Sequence, residues 1–376
     1  MHPIHIITGG TGFVGSAIIL ELLRNTDARI VGLVRPGMAG AELRLRKTIE
    51  HVARLYGLGD SLDKEIARRC EGVPADLGQP LCGVTARPEW AGAQMWHCAA
   101  SLQYLDRYAQ QIFATNVDGT KTIVDLAEAA QIHTLNTVST SYVAGTRSGL
   151  ILEAPVESLE SLGTNNHYER SKVMAEAVAR AAALPRVRVL RPSIVIGHSE
   201  HLTALNFNGL YGFLRSIYRF RRLIARTKTQ VGGRLELRMV ADPEATLNLI
   251  PVDIVAADAV ALALAEADAG VYHLVTAEPP QTCRALEVMF EAAGVQPPTY
   301  VSSRDEFTPL DEKFNAKIDF YTAYLVGPKR FSRRRIDRYV PDSRAASFKL
   351  PPDELRRFCA WYIDRLVTKA PPSVTR

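Results

Sequence analysis

Tyr168 and Lys172 carry the most specific chemistry in the chain, because a spacing of four residues sets a phenol and an ammonium on one face of a helix. A cation so placed stabilises the phenolate and lowers the phenol's pKa, which lets tyrosine exchange a proton near neutral pH. Upstream, Val138-Ser139-Thr140-Ser141-Tyr142 closes an apolar run, and the Thr140 hydroxyl can hydrogen-bond a carbonyl oxygen there. Ser139 and Ser141 compete for that role, since hydroxyls in a turn also satisfy backbone groups. Tyr-x-x-x-Lys is short enough to arise on a helix surface by chance, so its meaning rests on its surroundings.

Those surroundings start at the first residues. Ile4, Ile6 and Ile7 run into Thr8-Gly9-Gly10-Thr11-Gly12-Phe13-Val14-Gly15, and Ala17 to Leu23 continues at helical spacing. Strand, glycine turn and helix start make a diphosphate cradle: Gly9, Gly12 and Gly15 permit a tight turn, close backbone approach and helix-on-strand packing. Free N–H groups at the helix N-terminus attract the anion, so the expected ligand is a dinucleotide. Where an acidic residue would bind ribose hydroxyls at the end of the second strand, this chain has Arg35. Its guanidinium can pair with a 2′-phosphate and stack on adenine, with Arg44 on the next helix joining it, so NADPH is expected over NADH. Each arginine also has a plain surface reading, Arg35 at the start of a loop before Pro36-Gly37 and Arg44 on a basic helix face. Asp76-Leu77 follows a third strand and can contact adenine, although Asp76 equally suits a turn before Gly78 and Pro80.

Strand and helix patterns alternate through the first half. Ala28 to Val34, Gln94 to Ala99, Thr134 to Val138 and Val187 to Leu190 read as strands, while Asn116 to Ala130 and Tyr168 to Ala183 read as helices. The order is that of an α/β, doubly wound Rossmann-type parallel sheet. It fails after Pro192, resumes as strand and helix over Leu249 to Ala265, and returns to the sheet with Val271 to Val275. The expected division is an NADP-binding part over residues 1–200, rejoined by about 247–277, and a smaller, mostly helical substrate-binding part over 201–246 and 278–376.

With 376 residues, 47% hydrophobic content and a net charge of +5, the chain suits one large core plus an appendage and does not imply nucleic-acid binding. Five scattered cysteines read as reduced thiols, without zinc spacing or a disulfide framework. A first strand opening at residue 4 leaves no place for a signal peptide, and no apolar run reaches membrane length, so a cytoplasmic protein is expected. His97 and Cys98 are neighbours on a strand and point to opposite faces, which argues against a nucleophilic pair. His133, His167 and His198 read as loop or element-end residues, and no metal site is expected. Arg215, Arg219, Arg221, Arg222, Arg226 and Lys228 crowd a segment containing Phe213, Tyr218 and Phe220, and a second basic cluster spans Lys329 to Arg338. A CoA or phosphopantetheine arm, or an acidic acyl carrier protein, would suit these charges; so would a solvated helix face over buried aromatic rings.

In the order and spacing of these segments, through Arg191-Pro192-Ser193 and on to Asp253, the chain resembles the extended short-chain dehydrogenase/reductase superfamily. Leu33-Val34-Arg35, Asp76-Leu77, His97-Cys98-Ala99-Ala100, Val138-Ser139-Thr140 and Arg191-Pro192-Ser193-Ile194-Val195 are most similar to its thioester reductase and fatty acyl-CoA reductase branch. The resemblance implies catalytic roles for Thr140, Tyr168 and Lys172, support of a proton relay by Asn116, and cofactor contacts by Ala99 and Pro192. It also implies that Lys172 holds the nicotinamide ribose. The implied activity is NADPH-dependent reduction of an acyl thioester, on CoA or a carrier protein, to an aldehyde, which a second hydride could take to the alcohol. With no adenylation, carrier or anchor segment in the sequence, the expectation is that the acyl group arrives in trans or that the protein acts on a free molecule. Reduction of a free ketone or quinone-like secondary metabolite would use the same residues, and a non-catalytic NADP-sensing regulator would keep only the fold.

Overall fold

A computed structural model describes residues 3–38, 40–103, 105–157, 162–226 and 236–368. Its centre is built from short apolar runs. The strands β1 (Ile4–Thr8), β2 (Arg29–Val34), β3 (Cys70–Pro74), β4 (Gln94–His97) and β5 (Thr134–Val138) enter one sheet. After β6 (Gly149–Ile151) outside it, β7 (Arg186–Pro192) returns. Beyond β8 (Ile194–Ile196), β9 (Arg238–Val240) and β10 (Leu249–Pro251), β11 (Gly270–Leu274) takes the sheet's edge. β12 (Thr299–Val301) and β13 (Lys329–Phe331) complete three two-stranded ribbons, β10 with β8, β12 with β9 and β13 with β6.

The seven sheet strands run in the order β11-β7-β5-β4-β1-β2-β3, every pair parallel. Strand order reverses between β1 and β4, which opens a crevice at their carboxyl ends. Both faces of the sheet are covered, as the near-continuous burial of β1, β2 and β5 requires. On one face lie α1 (Phe13–Asn25), α2 (Ala41–Leu55) and, beyond the short α3 (Asp63–Arg69), residues of a later helix described below. On the other lie α4 (Ala109–Phe113), α5 (Gly119–Ala129) and α6 (His167–Arg180).

The helix expected from Asn116 is composite. A π-helical turn over Ala114–Asp118 joins α4 to α5, and in that wide turn the Asn116 amide engages groups outside its own helix. The α6 helix starts where Asn166 caps it, its side-chain oxygen accepting from the Glu169 N–H at 2.9 Å.

The stretch after Pro192 holds α7 (Leu210–Arg226), followed by α8 (Val252–Leu264), which packs on α1 and is the later helix of the first face. Then come α9 (Thr282–Ala292), α10 (Pro309–Thr322), α11 (Arg334–Tyr339), α12 (Arg344–Ser347) and α13 (Pro352–Thr368). Leu210, Phe213, Leu214, Ile217 and Phe220 turn one face of α7 into a second core shared with α9, α10 and α13. That core abuts the carboxyl ends of the sheet and supplies the far wall of the site.

Candidate active site

A cavity of about 810 Å³ runs from the glycine turn, past the ends of β5 and α6, into the second core. At its first end, Gly9 has φ 68°, and a Cβ there would lie 2.6 Å from the Ala99 nitrogen. Gly15 is more constrained, since its Cβ would meet the Gly9 carbonyl oxygen at 2.3 Å. Gly12 caps α1 without a side chain and no acidic residue occupies the first turn, which leaves its N–H groups for an anion. Phe13 and Val14 line the cavity beside them. Thr8 lines it too: its hydroxyl contacts His97 Nδ1 at 2.8 Å and accepts from the Ala99 N–H at 3.3 Å, fixing the turn at Ala99. His97 is fully enclosed and burial pulls its pKa down to about 3, so this brace is neutral.

Arg35 and Arg44 stand together on the wall, Arg44 Nη1 donating to the Arg35 carbonyl at 2.8 Å. Among the described residues neither forms an ion pair, which leaves two guanidinium groups unpaired at the end of β2. Asp76 is both a turn former and part of the wall, with one carboxylate oxygen accepting from the Gly78 N–H at 3.0 Å. Leu77, Ala99 and Pro192 also face the cavity.

Thr140, Tyr168 and Lys172 all line this cavity. The structure separates the three candidate hydroxyls. Ser139 is engaged, donating to Glu176 Oε1 at 2.5 Å, and Ser141 lies buried behind the wall. Thr140 Oγ1 accepts from the Tyr142 N–H at 3.2 Å, so its own proton stays free to donate into the cavity. Lys172 Nζ donates to the Val138 carbonyl at 2.6 Å and is almost fully buried. Burial lowers its ammonium to about 8, and the Glu176 carboxylate opposes that shift.

The lowered phenol expected from the Tyr-x-x-x-Lys spacing is not what the protein groups produce. Burial, reinforced by the Glu169 charge, pushes the Tyr168 phenol up, while the Lys172 ammonium is directed to Val138. Tyr168 is therefore a firmly protonated hydrogen-bond donor. Asn116 does not line the cavity. Its amide accepts from the Ser101 N–H at 2.7 Å and donates to the Ser101 carbonyl and to Ser171 Oγ, at 3.1 and 2.9 Å, tying the loop after β4 to α6.

Sequence reading missed the group beneath these residues. Tyr168, Lys172 and Glu176 form one stripe of α6, and buried Glu176 takes Arg191 Nε at 2.9 Å and Nη2 at 2.6 Å. One carboxylate thus joins α6, the end of β5 through Ser139 and the end of β7 through Arg191. Continuing the four-residue spacing past Lys172 would have found it. Tyr324 was also missed; it lines the cavity and its hydroxyl accepts from Asn166 Nδ2 at 3.2 Å. Beyond it, Phe213, Leu247, Leu249, Leu286 and Met289 line an apolar end, whereas the charged lining residues Arg35, Arg44, Asp76 and Lys172 sit at the nucleotide and central parts.

In the second basic cluster Arg333, Arg335 and Lys329 are engaged with the fold and do not line the cavity. Arg333 donates to Asp337 at 2.9 Å and Ser343 at 2.8 Å, Arg335 reaches the Ala269 carbonyl, and Lys329 is buried near Glu169. In the first cluster, Arg221 donates to the Ala293 carbonyl at 3.1 Å and Arg222 lies over the Tyr218 ring. Lys228 and the Arg226 side chain lie outside the described residues. Among the described residues no three His, Cys, Asp or Glu side chains group as metal ligands, and no helix is long and apolar enough to cross a membrane.

The fold matches the terminal R domain from the myxalamid PKS-NRPS biosynthetic pathway with a TM-score of 0.74 and 26% identity, over 98% of this chain and 93% of that one. With that match, the sheet order and the glycine turn mark an oxidoreductase of the extended short-chain dehydrogenase/reductase type. The chain belongs to the NAD-binding family described as male sterility protein, whose model matches residues 7–259. Among curated relatives it is 27% identical over 277 residues to a linear gramicidin synthase polypeptide of Brevibacillus parabrevis, covering 69% of this chain and 5% of that protein. It is likewise 27% identical over 279 residues to the large subunit of L-2-aminoadipate reductase from Eremothecium gossypii, covering 68% of this chain and 18% of that one. The chain therefore spans less than a fifth of the length of each of these two relatives.

Proposed function

We propose that the protein is an NADPH-dependent reductase of acyl thioesters. One observation carries the reading: the Thr140 hydroxyl, the Tyr168 phenol and the Lys172 ammonium line the same cavity as the glycine turn and the unpaired Arg35 and Arg44. The turn requires glycine, because a Cβ at Gly9 or Gly15 would strike the chain's own backbone, and the uncapped N-terminus of α1 behind it suits a dinucleotide diphosphate. NADPH, when bound, supplies a hydride to the carbonyl carbon.

Everything else falls to the chain's own side chains. Thr140 and Tyr168 donate hydrogen bonds to the carbonyl oxygen, strengthening as that oxygen gains charge, and Tyr168 then gives up its proton. Lys172 has three donors; one is fixed on Val138, leaving two for the nicotinamide ribose and for the charge left on Tyr168. Asn116 acts as a positioning residue through Ser101 and Ser171. The product of the first addition to a thioester is a hemithioacetal, which collapses to aldehyde and thiol. The apolar end formed by Phe213, Leu247, Leu249, Leu286 and Met289 holds the acyl group. The relatives named above are consistent with this reading.

The test is NADPH consumption with one acyl group presented as a thioester and as a free ketone. Thioester turnover with release of free thiol supports the proposal. Turnover of ketones alone would replace it with the free-carbonyl reading, and NADPH binding without turnover would favour a sensor.

Two changes probe its parts. Arg35→Asp is expected to lower the NADPH over NADH preference about a hundredfold, as a charge-assisted phosphate contact is lost and a repulsion added. An unchanged ratio of kcat/KM values would remove Arg35 from phosphate recognition. Glu176→Gln takes away the carboxylate that keeps Lys172 protonated, so the ammonium gives up its proton at lower pH. The alkaline limb of kcat/KM should therefore move down by about one pH unit. A fall in rate without movement of that limb would assign Glu176 to folding alone.

A further inference from the structure

We infer that Tyr321, seated on Gly212, sets the length of the uncharged acyl chain that the cavity accepts. The inference rests on the thioester reading above. Tyr321 is the penultimate residue of α10 and Gly212 the third of α7, so their contact joins two helices of the second core. A Cβ on Gly212 would stand 2.1 Å from the Tyr321 hydroxyl oxygen and 3.3 Å from Cζ. Glycine is disfavoured against alanine inside a helix, and Gly212 is not among the glycines with positive φ, so its backbone does not call for glycine. What the position requires is room. The missing methyl group is the seat of the phenol.

The ring so placed is a wall. Its edge meets the Phe213 ring at 5.4 Å between centroids and 78° between planes, so α7 holds Tyr321 both at the hydroxyl and along the ring. Tyr321 is nearly fully buried, yet it lines the cavity together with Phe213 of α7 and Leu286 and Met289 of α9. A ring backed by helix backbone cannot recede from a longer chain as a flexible side chain would. Each methylene left without space loses about fourfold in affinity, which makes a fixed wall a steep selector of length. Among the described residues, the charged groups that line the cavity, Arg35, Arg44, Asp76 and Lys172, all come from other elements than α7, α9 and α10. A carboxylate or ammonium on the acyl chain would be buried against these helices without a partner, which selects against it.

The experiment measures kcat/KM for hexanoyl and dodecanoyl thioesters of N-acetylcysteamine and follows the ratio between them. Tyr321→Ala opens the wall and should raise the dodecanoyl over hexanoyl ratio at least about tenfold. Gly212→Ala pushes the phenol towards the cavity and should lower that ratio at least about tenfold. Adding Tyr321→Phe to Gly212→Ala removes the oxygen that the new methyl strikes, and should return the ratio to within about threefold of Tyr321→Phe alone. A folding defect lowers both substrates alike and leaves the ratio in place; should Tyr321→Ala not fold, the Gly212 variants decide. The adipoyl thioester, hexanoyl with a terminal carboxylate, should be at least about a hundredfold poorer than hexanoyl in the unaltered chain. The same thioesters are also titrated calorimetrically onto protein saturated with NADP+, where no hydride is available, and their affinities should show the same length dependence. An unchanged ratio in Gly212→Ala, or a loss that Tyr321→Phe does not relieve, would overturn the wall, as would the absence of thioester binding at any length. Equal use of adipoyl and hexanoyl would overturn the preference for an uncharged chain. If the thioesters bind with the expected length dependence and none is reduced, the thioester reading fails while the wall stands.

Discussion

Tyr168→Phe is expected to lower kcat by about a thousandfold while leaving NADPH affinity within about threefold, because it deletes one proton donor and nothing else from the cavity. The ring is retained, as is the backbone carbonyl that accepts from Ser171 Oγ at 2.7 Å. Since burial holds this phenol protonated well above neutral pH, the deficit should be nearly constant across the neutral range. Thr140 and Lys172 would remain in place, so residual turnover measures what oxyanion contact and orientation achieve without a proton donor. Steady-state kinetics and an NADPH fluorescence titration decide it. Full activity in the variant would take Tyr168 out of the reaction.

Gly15→Ala is expected to weaken NADPH binding at least about a hundredfold and to cost about 2 kcal/mol of stability, through overpacking against backbone. The added methyl would sit 2.3 Å from the Gly9 carbonyl oxygen and 2.8 Å from its carbon. That carbonyl cannot yield easily, because it accepts the Gly12 N–H at 2.8 Å and so defines the turn around the diphosphate. Gly37→Ala is the control, since a Cβ there meets nothing within 4 Å. Thermal unfolding and NADPH titration of both variants measure the difference. Equal affinity in both would show that the turn tolerates a side chain and does not hold a diphosphate.

What could be read from sequence was what is local in sequence. The glycine turn, the strands at Thr134–Val138 and Gly270–Leu274 and the helix carrying Tyr168 and Lys172 follow from short-range pattern. The helix α7 was legible in principle from Leu210, Phe213, Leu214 and Ile217, yet its arginines obscured the apolar stripe. Residues joined only by the fold were not legible. Ser139, Glu176 and Arg191 meet across three elements, and Tyr324 reaches the cavity from beyond α10. Charge density misled for the same reason: Arg333 and Arg335 read as part of a ligand patch until the carbonyl and carboxylate that engage their guanidinium groups are in view. The residues alone left Thr140 and its serine neighbours in competition, and the Ser139 to Glu176 hydrogen bond, which spans 37 residues, supplies a physical reason for the choice that the family resemblance implied.

The most direct measurement follows deuterium from NADPH labelled at the transferable position into the product of a single octanoyl thioester turnover, with free thiol counted in the same reaction. Deuterium on the former carbonyl carbon, with one thiol released per aldehyde formed, is the predicted result. Oxidised cofactor with no label in the product, or with the thioester intact, would contradict the account.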